Sequence, residues 1–135
     1  MSTISLVQGA SRGIGLQFCR SLLSRNQQAI VIATCRSPEK ADGLSELRKE
    51  NPERLHVHKL DVTETGTDIE NVSKHISESF GRIDLLINSA GMLHPSGRGE
   101  TSLKDVTDQV KIYVFRIFSL CLFNHGGVIL SPWLN

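Results

Sequence analysis

The stretch LVQGASRGIG, residues 6–15, decides how this chain folds. It joins a short apolar run, Ile4 to Val7, to three glycines at positions 9, 13 and 15, and an amphipathic pattern of helical period begins directly behind them. The apolar run predicts a strand, the glycines predict a tight turn, and the periodic segment predicts a helix. The chain therefore opens with a strand, a turn and a helix.

A glycine turn in this position favours an anion. Glycine adopts backbone conformations that other residues avoid, and glycines at a helix start remove the Cβ atoms that would hold a diphosphate away. Amide N–H groups and the helix dipole then face the phosphates. A glycine-rich turn without a ligand is the alternative, and the position directly after the first strand favours the ligand.

A second motif, Asn88-Ser89-Ala90-Gly91, follows a later apolar run, Ile83 to Ile87. Together the two motifs resemble the cofactor motifs of the short-chain dehydrogenase/reductase family, Thr-Gly-x-x-x-Gly-Ile-Gly and Asn-Asn-Ala-Gly, with Gln8 in place of the Thr and Ser89 in place of the second Asn. The resemblance covers residues 1 to about 109. It implies an α/β fold, a Rossmann-type doubly wound parallel sheet of strand order 3-2-1-4, incomplete at its C-terminal side.

The resemblance also implies a nicotinamide dinucleotide as cofactor. Asp61 and Val62 match the family's pair after the third strand, so Asp61 is expected to bond the adenine amino group and Val62 to border the ring. An N-terminal helix cap is the competing explanation for Asp61. The cofactor-binding residues predicted in this way are Gly9, Ser11, Arg12, Gly13, Ile14, Gly15, Arg36, Asp61, Val62, Asn88, Ser89, Ala90 and Gly91.

The end of the second apolar run, Ala29 to Thr34, indicates which dinucleotide is preferred. An acidic residue there would bond the ribose 2′-hydroxyl of NAD, whereas an Arg accommodates the 2′-phosphate of NADP. This chain has Cys35 and Arg36, and Arg12 in the glycine turn is a second cation. The sequence therefore predicts NADP(H) in preference to NAD(H); two solvated surface arginines are the alternative.

The family's catalytic pair is not found in these 135 residues. Its members use a Tyr as proton donor and acceptor and a Lys four residues later that lowers the phenol pKa. The one tyrosine is Tyr113, the residue four positions on is Ile117, and no Lys follows Lys111. Ser131 lies in a segment that loosely resembles the family's fifth strand and its catalytic Ser, but we predict no catalytic residue.

Composition changes near Val110, after which most of the aromatic residues occur. We therefore predict two regions, a cofactor-binding half-domain over 1–109 and a divergent apolar tail over 110–135, as in a truncated product whose fourth strand is an exposed sheet edge. The tail's apolar run is about a dozen residues, and a membrane span needs roughly 20. We expect no membrane span, and association with a longer relative or with itself.

Charge and cysteine content argue against nucleic-acid-binding, membrane-surface, disulfide-rich and zinc-binding proteins. Fifteen basic and fourteen acidic residues leave a net charge of +1, which predicts neither nucleic-acid nor membrane-surface binding. Three widely spaced cysteines indicate neither a disulfide framework nor a zinc site, and a strand at the N-terminus leaves no room for a targeting peptide, so a cytoplasmic location is expected. His56 and His58 alternate on one strand without a third ligand nearby in sequence, so we predict edge histidines and no metal.

Three hypotheses about function fit this pattern. In the first, the chain is an NADP-dependent oxidoreductase by family that does not turn over substrate alone. In the second it is a non-catalytic protein that binds nucleotide or a longer relative, and in the third it is an unstable product without a role. No residue in the sequence identifies a substrate.

Overall fold

A parallel sheet with helices on both faces forms the described part of the chain. The computed structural model describes residues 2–61, 67–89 and 128–130. The strands are β1 (Ile4–Gln8), β2 (Ile30–Cys35), β3 (Leu55–Lys59), β4 (Leu85–Asn88) and β5 (Val128–Leu130); the helices are α1 (Gly13–Arg25), α2 (Asp42–Glu50) and α3 (Thr67–Ser79), with a 3-10 turn at Pro38–Lys40. Among the described helices, none is long and apolar enough to cross a bilayer.

The sheet has the order β3-β2-β1-β4-β5, and every pair of neighbouring strands is parallel. Leu6 in β1 lies between Ile32 of β2 and Leu86 of β4. This arrangement confirms the predicted Rossmann-type topology, including the order 3-2-1-4. β1 is central because its neighbours β2 and β4 are reached through connections on opposite faces of the sheet.

The prediction that β4 forms an exposed edge is wrong. β5 pairs with β4 in parallel, with Leu85 opposite Val128 and Ile87 opposite Leu130. A short apolar, β-branched segment pairs with the free backbone groups of a neighbouring strand at little cost, since those groups otherwise need another partner. The segment that resembled the family's fifth strand therefore takes that strand's place in the sheet.

Alternate residues of the strands pack into separate cores on the two faces. Ile4 and Leu6 of β1 pack with Ile69, Val72 and Ile76 of α3. On the opposite face Val7 packs in a cluster that includes residues of α1 and α2, namely Cys19, Leu23, Leu44 and Leu47. All five residues of β1 are buried, as expected for a strand covered on both faces.

A third histidine joins the pair on β3. His75 of α3 lies against that strand, with ring centroids 4.4 Å from His58 and 6.0 Å from His56, and Phe80 lies 5.3 Å from His56. The prediction of edge histidines agrees with the position of β3 at one end of the sheet, but the proximity of α3 was not predicted. In the described ranges no group of three His, Cys, Asp or Glu side chains could hold a metal ion.

Burial lowers the pKa of both strand histidines. Loss of hydration is the largest cause for His56 and for His58, and repulsion from His75 adds to it, with Arg48 a smaller contributor. Both rings are half-buried. Their neutral forms are therefore favoured in the folded chain.

We expect the folded chain to lose stability as the pH falls below 6.5, the ordinary histidine pKa. The unfolded chain protonates first because the folded pKa values are depressed, so stability is greatest above 6.5 and decreases toward the folded pKa values. Each titrating ring can change the free energy of unfolding by at most about 1.4 kcal/mol per pH unit. Solvent screening of half-exposed rings makes this change smaller.

Urea unfolding of the wild-type chain and His58→Gln between pH 8 and pH 5 measures this effect. The urea concentration at the unfolding midpoint should decrease less between pH 8 and pH 5 in His58→Gln than in the wild type. His56→Gln should behave in the same way. Equal pH slopes in the wild type and both variants would contradict the assignment.

Candidate functional site

The candidate site lies where the carboxyl ends of β1, β2 and β4 meet. The glycine turn follows Gln8, the last residue of β1; Arg36 follows β2 and Ser89 follows β4. In open parallel sheets, ligands bind outside the carboxyl ends of the strands, where the connections diverge to opposite faces. The structure thus brings the glycine turn, Arg36 and Ser89 to one edge of the sheet.

The glycine turn is held open by two backbone conformations that favour glycine. Gly9 has a φ of 73° and Gly13 a φ of 58°. The amides of Gly9 and Ala10 both donate to the carbonyl oxygen of Thr34, each over 3.0 Å. These bonds attach the start of the turn to β2.

The N-terminus of α1 faces the turn without a side-chain cap. Arg12 precedes the helix in an extended conformation and makes no capping hydrogen bond, and the first turn holds no acidic residue. The first amide groups of a helix lack intrahelical acceptors, and the positive end of its dipole lies beside them. This terminus is therefore suited to an anion.

Gly13 and Gly15 have different roles. A Cβ at Gly13 would meet nothing within 4 Å among the described residues, so this residue borders open space in the described part of the chain. A Cβ at Gly15 would overlap the carbonyl oxygen of Gly9 and lie 2.5 Å from Ser89 Oγ. We predicted that both glycines make room for a diphosphate; the structure instead assigns Gly15 to the contact between α1 and the turn.

Three side chains around the turn are exposed. Arg12 and Arg36 both extend into solvent, and Ile14 is 64% exposed, the one large hydrophobic side chain with high exposure in the described part of the chain. Cys35, one residue before Arg36, is buried, and burial raises the pKa of its thiol. The cations therefore lie at the surface, while the neighbouring thiol packs in the core.

Asp61 follows β3 and is half-buried. Its backbone amide donates to Asp68 Oδ2 over 3.1 Å, so the first turn of α3 bonds back to it. Residues 62–66, between Asp61 and the described start of α3 at Thr67, lie outside the described residues, so the competing explanation of Asp61 as a helix cap stays open. The predicted contacts of Asp61 with adenine stay a prediction, and Val62 lies outside the described residues.

Ser89 joins the second motif to the glycine turn. Its amide donates to the carbonyl oxygen of Gln8 over 3.0 Å. Its hydroxyl donates toward the carbonyl oxygens of Gln8, at 2.7 Å, and of Gly9, at 3.2 Å. Asn88 is buried, while Ala90 and Gly91 lie outside the described residues. The two predicted motifs are thus in direct contact.

A row of buried polar side chains beneath the site was not predicted. Gln8, Thr34 and Asn88 are opposite one another across β1, β2 and β4, and each is 1% exposed. Gln8 Nε2 and Thr34 Oγ1 have no hydrogen-bond partner among the described residues. The sequence does carry a signal for this row, because a polar residue occurs at or near the end of each of three apolar strands.

The C-terminal predictions fall on residues that the structure does not describe. Tyr113, Ile117 and Ser131 are outside the described ranges, as is the predicted boundary at residues 109 and 110. Of the region 110–135, the structure describes only the backbone of β5.

The sequence model of the short chain dehydrogenase family matches residues 3–123. The chain belongs to this family. Short-chain dehydrogenases bind a nicotinamide dinucleotide, which agrees with the position of the glycine turn. The family assignment predicted from the two motifs is therefore confirmed.

Relatives of this chain include reductases from plants and animals. Salutaridine reductase of Papaver bracteatum is 33% identical over 89 residues, 65% of this chain and 28% of that protein. The NADPH-bound carbonyl reductase from chicken fatty liver is 30% identical with a TM-score of 0.78, over 90% of this chain and 46% of that one. A short-chain dehydrogenase from Streptomyces avermitilis is 26% identical with a TM-score of 0.79, over 96% and 48%. The chain thus spans less than half the length of these three proteins.

Alanine substitutions separate the two roles of the glycines. Gly15→Ala should destabilise the fold by about 1–3 kcal/mol, because its Cβ collides with a backbone carbonyl. Gly13→Ala should cost about 1 kcal/mol from its positive φ alone. Gly81→Ala is the matched control, since Gly81 also has a positive φ, 71°, and open space around it.

Denaturant unfolding of the three variants measures the difference. We expect Gly13→Ala and Gly81→Ala to be similar in stability and Gly15→Ala to be the least stable. A Gly15→Ala variant as stable as Gly81→Ala would contradict the close packing of α1 on the turn.

Proposed function

We propose that this chain is the NADP(H)-binding half of a short-chain oxidoreductase and does not turn over a substrate by itself. The observation that carries the proposal is the pair of exposed cations, Arg12 and Arg36, beside an uncapped helix N-terminus. The printed sequence has Cys35, Arg36 and Ser37 where an NAD-preferring relative would have an acid. The NADPH-bound chicken carbonyl reductase supports the same preference.

Each part of the turn matches a part of the dinucleotide. The open space beside Gly13 and the first amides of α1 suit the diphosphate. Arg12 and Arg36 supply charge-assisted hydrogen bonds to a 2′-phosphate. The exposed Ile14 offers an apolar contact to the bound molecule, which would remove this side chain from water. Asp61 and Val62 are proposed to hold the adenine, and Asn88, Ala90 and Gly91 to border the cofactor.

Bound NADPH would supply a hydride to the carbon of a carbonyl substrate. The residues that exchange the proton in this family are a Tyr and a Lys four positions later, and Tyr113 is followed at that distance by Ile117. Without a neighbouring ammonium, a phenol keeps a pKa near 10 and is a poor proton carrier at neutral pH. We therefore propose that the 135 residues bind cofactor without reducing a carbonyl.

The glycine turn is intact, but the catalytic Tyr and Lys pair is missing from the sequence. This combination favours a second proposed role, that of a nucleotide-binding protein that associates with a longer relative or with itself. Co-purification with a longer relative would favour this role over an unstable product without a role.

Cys19 and Cys35 are both free and buried, which agrees with a reducing compartment and with the proposed cytoplasmic location.

Thermal unfolding with each nucleotide tests the proposal. NADPH at 100 times its dissociation constant should stabilise the fold by about 2.7 kcal/mol, and NADH at the same concentration should stabilise it less. No shift with either nucleotide would refute the proposed function. Carbonyl reduction by the purified chain, absent from a Gly13→Ala and Gly15→Ala double variant, would refute the proposed lack of turnover.

Arginine variants test the preference for NADP(H). Arg12→Ala and Arg36→Ala should each weaken NADPH binding by roughly tenfold or more and leave NADH binding nearly unchanged, because only NADPH carries the 2′-phosphate. Arg25→Ala is the control, since this exposed arginine lies in the last turn of α1, at the end away from the turn. Equal losses for NADPH and NADH would contradict the assignment of the two arginines.

A further inference from the structure

We propose that Ser89 is a positioning residue: its hydroxyl holds the Gly9 carbonyl in place and so keeps the glycine turn in its anion-binding shape. This inference rests on the proposed cofactor binding. It assigns to Ser89 a contact with the turn in place of the predicted contact with the cofactor.

Two peptide groups open the glycine turn, and each is held at both ends. In the peptide between Gln8 and Gly9, the N–H donates to the Thr34 carbonyl and the C=O accepts from the amide and hydroxyl of Ser89. In the peptide between Gly9 and Ala10, the N–H also donates to Thr34, and the C=O accepts from Ser89 Oγ at 3.2 Å. The turn is thus fixed between β2 and the residue that follows β4.

Of these four hydrogen-bonding groups, only the Gly9 carbonyl is held by a side chain alone. The carbonyl of Gln8 accepts a hydrogen bond from the backbone amide of Ser89, and this bond does not depend on the side chain at position 89. The carbonyl of Gly9 has Ser89 Oγ as its one hydrogen-bond donor among the described residues. A hydroxyl has a single proton, shared here between two carbonyls, so its removal releases the Gly9 carbonyl.

The position of Ser89 Oγ supports an indirect role. A Cβ on Gly15 would come within 2.5 Å of this oxygen and would also overlap the Gly9 carbonyl. The hydroxyl therefore lies under the first turn of α1, on the side where the helix meets the glycine turn. An added Cβ on Gly13, by contrast, would have no neighbour within 4 Å in the part of the chain that the structure describes. Ser89 thus acts on the face of the turn that contacts protein.

Loss of the hydroxyl should reduce affinity for anions. A buried carbonyl without a donor turns toward water. Rotation of the peptide between Gly9 and Ala10 would direct the negative end of its dipole toward the bound phosphates and break the Ala10 bond to Thr34. The same rotation would expose the Ala10 amide to exchange with solvent, with or without cofactor, whereas the Gly9 amide belongs to the preceding peptide and would keep its bond to Thr34.

Ser89→Ala and Ser89→Thr test the inference, because Thr retains the hydroxyl. We measure NADPH dissociation constants well below the unfolding temperature, and hydrogen exchange of the Ala10 amide without nucleotide, with the Gly9 amide as the internal reference. Ser89→Ala should bind NADPH about tenfold more weakly and exchange the Ala10 amide faster than the wild type, with a smaller change at Gly9. Ser89→Thr should stay within about threefold of wild type in both measurements.

Gly81→Ala controls for general loss of stability, since this residue lies in the turn after α3, where an added Cβ meets no described residue within 4 Å. Ser89→Ala no weaker in binding than Gly81→Ala, or with unchanged exchange at Ala10, would overturn the positioning role while leaving NADPH binding intact. A wild-type chain that does not bind NADPH would instead refute the proposed function, and the exchange measurement would still decide whether Ser89 holds the turn.

Discussion

The contact between the glycine turn and α1 is the constraint on which the site depends. α1 approaches the end of β1 so closely that the Gly9 carbonyl occupies the space that a side chain at position 15 would need. This approach places the uncapped start of the helix beside the carboxyl ends of β1 and β2. A larger residue at position 15 would move the helix, and with it the first backbone amides of α1. The position of the helix N-terminus beside the turn is therefore a consequence of helix packing.

The central position of β1 transmits this constraint to the rest of the sheet. β1 is hydrogen-bonded to β2 and β4, and its side chains belong to both cores. The turn that follows β1 is consequently held from both sides, by Thr34 at the end of β2 and by Ser89 after β4. Residues from three distant parts of the sequence thus fix a turn of a few residues.

Motifs read along the chain predicted the turn, the four strands and the family, because local patterns carry these features. Glycines at 9, 13 and 15 indicate a turn wherever the chain goes next, and the burial of Ile69, Val72 and Ile76 follows from their helical period. Other features were missed because they depend on contacts between elements. His75 is 17 residues beyond His58, and nothing in the period of either element predicts that the two rings lie 4.4 Å apart. The pairing of β5 with β4 joins segments about 40 residues apart, and composition alone favoured an exposed edge.

The amino-acid sequence by itself determined that the chain belongs to the short-chain dehydrogenase family and has a glycine turn after its first strand, since glycine spacing and apolar runs are local properties. It also predicted that Arg12 and Arg36 are the cations nearest the phosphate, because each is adjacent to a strand end or a glycine. Only the tertiary structure decided that Gly15 serves helix packing while Gly13 faces open space among the described residues. It alone decided that Ser89 bonds the turn and that Gln8, Thr34 and Asn88 form one buried row. The reason is that these roles depend on which atoms of neighbouring strands approach within a few ångströms, and that distance is set by the register of the sheet and the packing of α1.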